Sequence, residues 1–97
     1  MALMKNAQTD RLFEAILSLE SKEECYQYFE DLCTIKEILA IAQRMEVARM
    51  LDQGQSYQQA IASTGASSAT ISRVKRCLDY GAGGYRLVLD KAKEGKA

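Results

Sequence analysis

One long helix that is apolar on most of its sides is the strongest constraint in this sequence. Thr34 and Glu37 form a capping-box pattern that predicts where the helix begins, and Gly54 is expected just beyond its end. Its apolar positions spread around the cylinder: Ile35, Ile38, Leu39, Ile41, Ala42, Met45, Ala48, Met50 and Leu51. Such a helix must be covered on most sides. A chain of 97 residues has few other elements that could pack against it, so we expect part of this surface to contact a second subunit. The alternative is that the chain itself buries the helix.

The rest of the chain is also predicted to be helical. It has no proline, it is rich in residues that favour helices, and no segment shows the alternation typical of a strand. Ser21 and Glu24 form a second capping-box pattern. The expected helices cover residues 9–19, 21–32, 35–53, 57–64, 68–80 and 85–92, followed by a frayed end over residues 93–97. We therefore predict a single all-α domain of about six helices over residues 1–97.

Charge is distributed unevenly along a chain whose formal net charge is zero. Residues 1–33 carry a balance of minus four, and residues 34–97 carry plus four. This asymmetry favours an anionic partner for the C-terminal part. The first residues lack the apolar run of a secretory signal, and no apolar stretch is long enough to span a membrane. We expect a soluble cytoplasmic protein with no membrane partner.

The titratable residues argue against an enzyme and against a metal protein. Cys25, Cys33 and Cys77 cannot all pair within one chain and lack metal-ligand spacing, so free thiols are expected. There is no histidine to act as a general base, and the glycines at 81–84 are not followed by the lysine of a phosphate-binding loop. We predict no catalytic residue, no metal ligand and no enzymatic activity.

Residues 56–80 carry the pattern of a helix-turn-helix. Ser56 is a candidate N-cap of the first helix, Gly65 a break after it, and Ser67 a cap of the second. Helical spacing gives the second helix an inner apolar ridge, and small residues on the first helix and turn are candidates for the facing surface. The ridge consists of Ile71, Val74 and Leu78, and the facing candidates are Ala60, Ile61 and Ala66.

The opposite face of the second helix has the composition of a DNA-reading surface. It begins with small polar residues and ends with cations, which suits a helix whose N-terminal end enters the major groove while basic side chains reach phosphates. No charged residue occurs from Gly54 through Ser72, so no carboxylate would repel phosphate there. A plain structural hairpin with solvated cations is the alternative. The outward positions are Ala69, Ser72, Arg73, Arg76 and Tyr80, with Thr70 and Lys75 on the flanks.

The stretch Gly-Ala-Ser-Ser-Ala-Thr-Ile-Ser-Arg at residues 65–73 resembles the Gly-Ala-Gly-Ile-Ala-Thr-Ile-Thr-Arg stretch of the bacterial tryptophan repressor family. The long helix before it, which contains Arg44 and has Gly54 at its end, is similar as well. The resemblance covers residues 34–80 well and the ends loosely. It implies an interlocked two-fold homodimer whose two recognition helices enter successive major grooves of double-stranded DNA.

The same resemblance implies a candidate ligand site. In that family tryptophan is the corepressor, held by two arginines, one on its carboxylate and one against its indole, and Arg44 and Arg73 match those positions. The family has glycine after the second arginine, where this chain has Val74, whose side chain could fill the space for the ligand. The alternatives are that Arg73 contacts phosphate, that Arg44 pairs with an acid of its own helix, or that another small molecule binds.

Together these features predict a homodimeric, sequence-specific DNA-binding regulator that acts as a repressor. The alternative is a helical protein-interaction module that has lost DNA binding. Within the domain, residues 1–53 are expected to form the dimerisation helices, 56–80 the helix-turn-helix, and 84–97 the C-terminal helix and tail. No cofactor is required, and L-tryptophan is the candidate corepressor. The residues predicted to contact DNA are Ser67, Ser68, Ala69, Thr70, Ser72, Arg73, Lys75 and Arg76.

Overall fold

The computed structural model describes residues 5–95, which form six helices and no strand. The all-α prediction is therefore confirmed over this range, while the predictions for residues 1–4 and 96–97 lie outside it. The helices are α1 (Ala7–Leu17), α2 (Lys22–Leu32), α3 (Ile35–Asp52), α4 (Tyr57–Thr64), α5 (Ser68–Tyr80) and α6 (Gly84–Lys93). The chain divides into two compact units, and the division falls within α3, between Ile38 and Leu39.

Helix α1 lies two residues earlier than predicted at both ends. Asn6 caps it, because its side-chain oxygen accepts from the Thr9 backbone N–H at 2.8 Å. The helix ends at Leu17 because Ser18 turns back on it, its hydroxyl donating to the Ala15 carbonyl at 2.6 Å. Both ends are set by short polar side chains, whereas the prediction rested on the apolar stripe alone.

Helix α2 begins after the predicted N-cap Ser21, but the Glu24 side chain bonds to the residue before Ser21 and not to Ser21 itself. The Ser21 hydroxyl accepts from the Glu24 backbone N–H at 3.1 Å, whereas the Glu24 carboxylate accepts from the backbone N–H of Glu20 at 2.9 Å. Neither α1 nor α2 contains a buried residue. Some apolar side chains of these helices are half-buried, and others are exposed in a single chain, including Leu17, which is 83% exposed.

Helix α3 begins with a complete capping box. The Thr34 backbone N–H donates to Glu37 at 2.8 Å, and the Glu37 backbone N–H donates to the Thr34 hydroxyl at 3.2 Å. The hydrogen bond from the Thr34 backbone, followed by that from the Thr34 side chain, lowers the pKa of the Glu37 carboxyl. The helix stops at Asp52 and the chain turns at Gly54, whose φ of 85° lies in the left-handed region.

The second unit has one hydrophobic core, to which α3, α4, α5 and α6 all contribute. Its buried residues are Val47, Ala48, Ala60, Ala66, Ile71, Val74 and Leu89. Two of the seven come from the second half of α3, and three of the helix-turn-helix residues predicted to be internal (Ala60, Ile71, Val74) are at most 1% exposed. The core therefore fixes the helix-turn-helix to the rest of its unit.

Helix α6 extends to Lys93, one residue further than predicted, and this residue is ion-paired where the sequence suggested fraying. Lys93 and Arg86 approach the same carboxylate at the end of α3: their nitrogens lie 2.9 and 2.5 Å from the oxygens of Asp52. The Asp52 side chain is only 8% exposed. The Arg86 hydrogen bond, followed by that of Lys93, lowers the pKa of the Asp52 carboxyl. Two cations of α6 therefore hold it against α3.

Candidate nucleic-acid interface

The turn between α4 and α5 is closed by its own polar groups. Gly65 adopts a φ of 73°, which glycine tolerates best, and its N–H donates to the Ile61 carbonyl at 2.9 Å. The Ala66 N–H donates to the Thr64 hydroxyl at 3.1 Å. Ser67 then caps α5 by accepting from the Thr70 backbone N–H at 3.1 Å. These bonds fix the direction of α5 relative to α4.

Small side chains let α5 lie close to α4. Ala60 and Ala66 are 0% and 2% exposed, and both belong to the core that contains Ile71 and Val74. Leu78 packs against this core as a partly buried residue. Ile61, also a candidate for this facing surface, is 37% exposed and does not belong to the buried core. It follows Ala60 by one position, and the 100° rotation per residue places it to one side of that buried alanine.

The outer face of α5 is exposed at its N-terminal end. Ser67 and Ser68 at the start of the helix are exposed, as are Ala69 and Ser72 one turn later. Thr70 differs from these four because it is half-buried and its hydroxyl accepts from the Ser67 hydroxyl at 3.1 Å. Four of the five small residues predicted to approach DNA are thus exposed, and the fifth supports the cap.

Three cations follow on the same helix, and their surroundings differ. Arg73 and Arg76 are exposed, and neither has a hydrogen bond or an ion pair with any described residue. Lys75 is paired instead, its Nζ lying 3.3 Å from the carboxylate of Asp79 one turn along. The two arginines are therefore immediately available to an anion, whereas the lysine must first leave its partner.

The two candidate ligand arginines do not line the apolar cavity that adjoins α3, α5 and α6. Arg44 is half-buried on α3, and within residues 5–95 it has no ion pair or hydrogen bond. The alternative in which Arg44 pairs with an acid of its own helix is therefore not observed. The acid near it on α3, Glu46, pairs with Arg49. An open apolar cavity of about 490 Å³ lies against α3, α5 and α6, but its lining includes neither Arg44 nor Arg73.

Val74 fills space inside the second unit. It is 1% exposed and belongs to the same buried cluster as Val47 and Ala48 of α3. The position that sequence reasoning marked as a possible obstacle to a ligand is thus a core position. Its side chain contributes to the packing that holds α5 in place.

The chain offers little other chemistry in the described residues. Cys25 is an exposed free thiol, and Cys33 and Cys77 are half-buried free thiols. No group of histidine, cysteine or acidic side chains between residues 5 and 95 could hold a metal ion. Within the same range no helix is long and apolar enough to cross a membrane.

Two long-range contacts that support the helix-turn-helix were not predicted. The Gln43 side-chain amide of α3 donates to the Thr64 carbonyl at 3.1 Å, which satisfies the end of α4. The Asp52 pair with Arg86 joins residues 34 apart in the chain. Pairs this distant leave no local sequence signal, and only the fold brings them together.

Comparison with known proteins places this geometry in a family. The model of the Trp repressor protein family matches residues 7–93. The uncharacterized protein YerC of Bacillus subtilis (strain 168) is 56% identical over 91 residues, which cover 94% of this chain and 88% of that protein.

Two solved structures have the same fold. One, a Staphylococcus aureus protein assigned to the Trp repressors, has a TM-score of 0.89 at 50% identity, with 92% of this chain and 89% of that chain covered. The other, a TrpR-like protein of Eubacterium eligens ATCC 27750, has a TM-score of 0.89 at 49% identity, with 92% of each chain covered. The chain therefore belongs to the Trp repressor family.

Proposed function

We propose that this protein is a cytoplasmic, sequence-specific DNA-binding regulator that acts as a repressor and is not an enzyme. The observation that carries the proposal is the outer face of α5, where small exposed residues are followed by two arginines that have no partner among residues 5–95. A major groove admits an α-helix, and phosphates on either side of the groove attract cations. Repression requires no further module, because a protein that occupies a promoter blocks it.

The residues of this face have different roles in the proposal. Arg73 and Arg76 bind phosphates, which positions the helix without selecting a sequence. Ser68, Ala69 and Ser72 lie nearest the base edges, since they are exposed around the first turn of α5. Serine donates to or accepts from bases, and the alanine methyl suits the methyl group of thymine.

The repressor is proposed to act as a homodimer, with residues 1–53 forming the dimerisation helices. The second unit alone exposes apolar side chains that a single chain does not cover. On α3, Leu39 is 63% and Ile41 49% exposed, and on α6, Leu87 is 57% and Val88 45% exposed. A second copy of the chain is a partner that would bury such surface in both subunits at once. Two α5 helices related by a two-fold axis would read two half-sites about one DNA turn apart.

We further propose that DNA binding does not require tryptophan. A corepressor acts by packing between elements that would otherwise be loose, and Val74 already occupies the interior between α3 and α5. Arg73 then serves phosphate rather than the ring of a ligand. Arg44 keeps no assigned partner in this account, and a different small anion remains its candidate ligand.

The experiment is capture of sheared genomic DNA from the source organism by the purified protein, with and without L-tryptophan, followed by sequencing. We expect a few sites with two-fold symmetry to be enriched equally under both conditions. Arg76→Ala should recover the same sites more weakly, while Lys91→Ala, which removes one exposed cation from α6, should match the wild type. Enrichment only with tryptophan would refute corepressor independence. No enrichment under either condition would refute DNA binding and favour the protein-interaction module.

A further inference from the structure

Asp79 is placed on the recognition helix where a DNA-binding surface would ordinarily exclude a carboxylate. It is the only acidic residue between Asp52 and Asp90, a stretch that contains Arg73, Lys75, Arg76 and Arg86. This single acid lies one residue before the end of α5 and pairs with a cation of the same helix, with 3.3 Å between Lys75 Nζ and Asp79 Oδ1.

The position of Asp79 distinguishes Lys75 from its neighbours. Arg73 and Arg76 have no partner among the described residues, whereas Lys75 is paired with the carboxylate of Asp79, one turn further along the helix. Asp79 also contributes, after Asp52 and Asp90, to raising the pKa of the Arg86 guanidinium, but the hydrogen bond of Arg86 goes to Asp52. Lys75 is therefore the cation whose availability depends on Asp79.

The pair is open to exchange with a phosphate. The side chains of Lys75 and Asp79 are 46% and 41% exposed, and exposed pairs of this spacing are weak. A phosphate can replace the carboxylate as the partner of Lys75. The exchange gains less than a free cation would, because one ion pair is broken for each one formed and the carboxylate is left close to the DNA.

We infer that Asp79 limits the affinity of this protein for DNA by holding Lys75 away from the phosphates. The inference rests on the proposed DNA binding and adds a regulatory element to the same surface. With Lys75 neutralised, each recognition helix contributes two available cations instead of three. The sequence-independent part of binding is then weaker, and the protein leaves unrelated DNA more readily.

Asp79→Asn should raise affinity through Lys75. Each phosphate neutralised changes the slope of log K against log salt by about 0.9, which is about eightfold in affinity at 0.1 M salt. The gain from Asp79→Asn is limited by the strength of the exposed pair, so we expect about twofold for each α5 helix on the duplex, on selected and unrelated sequences alike. Lys75→Met should cost about fourfold for each helix in the wild type and about eightfold in the Asp79→Asn background, because in the wild type the lysine must first leave the carboxylate.

The test is duplex binding by fluorescence anisotropy over a salt series for the wild type, both single variants and the double variant. Asp90→Asn is the matched control, since it removes one exposed carboxylate from α6 and should leave the slope unchanged. Far-UV circular dichroism checks that each variant keeps its helical fold. If Asp79→Asn has the same effect with and without Lys75, the carboxylate acts by repelling DNA directly and this inference is wrong, although DNA binding stands. If the wild type binds no duplex even at low salt, the proposed function fails as well.

Discussion

The orientation of α5 can be tested by comparing two adjacent residues, Ile71 and Ser72. Ile71 is 0% exposed in the core of the second unit, whereas Ser72 is exposed on the outer face. Ile71→Ala removes three buried carbon atoms. At about 0.8 kcal/mol for each, this loss is about 2.4 kcal/mol, and the cavity left behind raises it to about 3–4 kcal/mol.

This cost is large for a domain of this size, whose free energy of unfolding is expected to be about 5–15 kcal/mol. We would measure urea unfolding by circular dichroism at one fixed protein concentration, because a dimer makes stability depend on concentration. With an m-value of about 1.5 kcal/mol/M, the midpoint should fall by about 2 M. Should Ile71→Ala not fold at all, Ile71→Val gives the same test with an expected cost of about 1 kcal/mol.

Ser72→Ala is the matched control, because it trims the neighbouring residue of the same helix on the opposite side. It should change the free energy of unfolding by less than about 0.5 kcal/mol. If Ile71→Ala costs less than about 1 kcal/mol, or if Ser72→Ala costs as much as Ile71→Ala, α5 does not present its outer face to solvent. The assignment of the DNA-reading residues would then be wrong.

Four further predictions concern pH, ligand binding, core packing and salt. Because the pKa of Asp52 is lowered in the folded chain, its ion pairs stabilise the protein above about pH 4 and are lost as the pH falls through the folded pKa. Asp52→Asn should therefore flatten the acid side of a plot of urea midpoint against pH, and an unchanged slope would contradict the pairing. L-tryptophan should not raise the melting temperature of the wild type. Val74→Gly should lower the free energy of unfolding in urea by about 2–4 kcal/mol, and a smaller loss would mean that Val74 is not part of the core. Arg76→Ala should weaken binding to every duplex by about eightfold at 0.1 M salt and lower the salt slope by about 0.9 for each α5 helix on the duplex, and a loss confined to one sequence would make Arg76 a base-reading residue instead.

The start and end of the helix-turn-helix could be predicted because each depends on a few neighbouring residues. Ser56 accepts from the Gln59 N–H at 3.1 Å, and the Gln59 side chain accepts from the Ser56 N–H at 2.7 Å. Gly65 and Ser67 act in the same local way, so the bounds of α4 and α5 match the prediction. Turns and caps are set within four residues, which is the range over which a single sequence is informative.

Inward and outward positions were harder to predict where a helix is apolar on most sides. Val47 is fully buried, but it was not among the apolar positions singled out on α3, and Leu39, which was, is 63% exposed. Periodicity does not distinguish these positions, because almost every side of α3 offers an apolar residue. The Asp52 pairs with Arg86 and Lys93 were missed for another reason, since only the folded chain brings these residues together.

The most direct test of the central claim is selection from a library of random duplexes by the wild type and by Ser72→Ala. Ser63→Ala is the control, because it removes the same hydroxyl from an exposed position on α4. The account predicts that the wild type and the control select the same two-fold symmetric sequence, and that Ser72→Ala relaxes or changes the preference at one position in each half-site. Selection of one unaltered sequence by all three proteins would show that the outer face of α5 does not read the bases. Failure of the wild type to select any sequence would contradict the account as a whole.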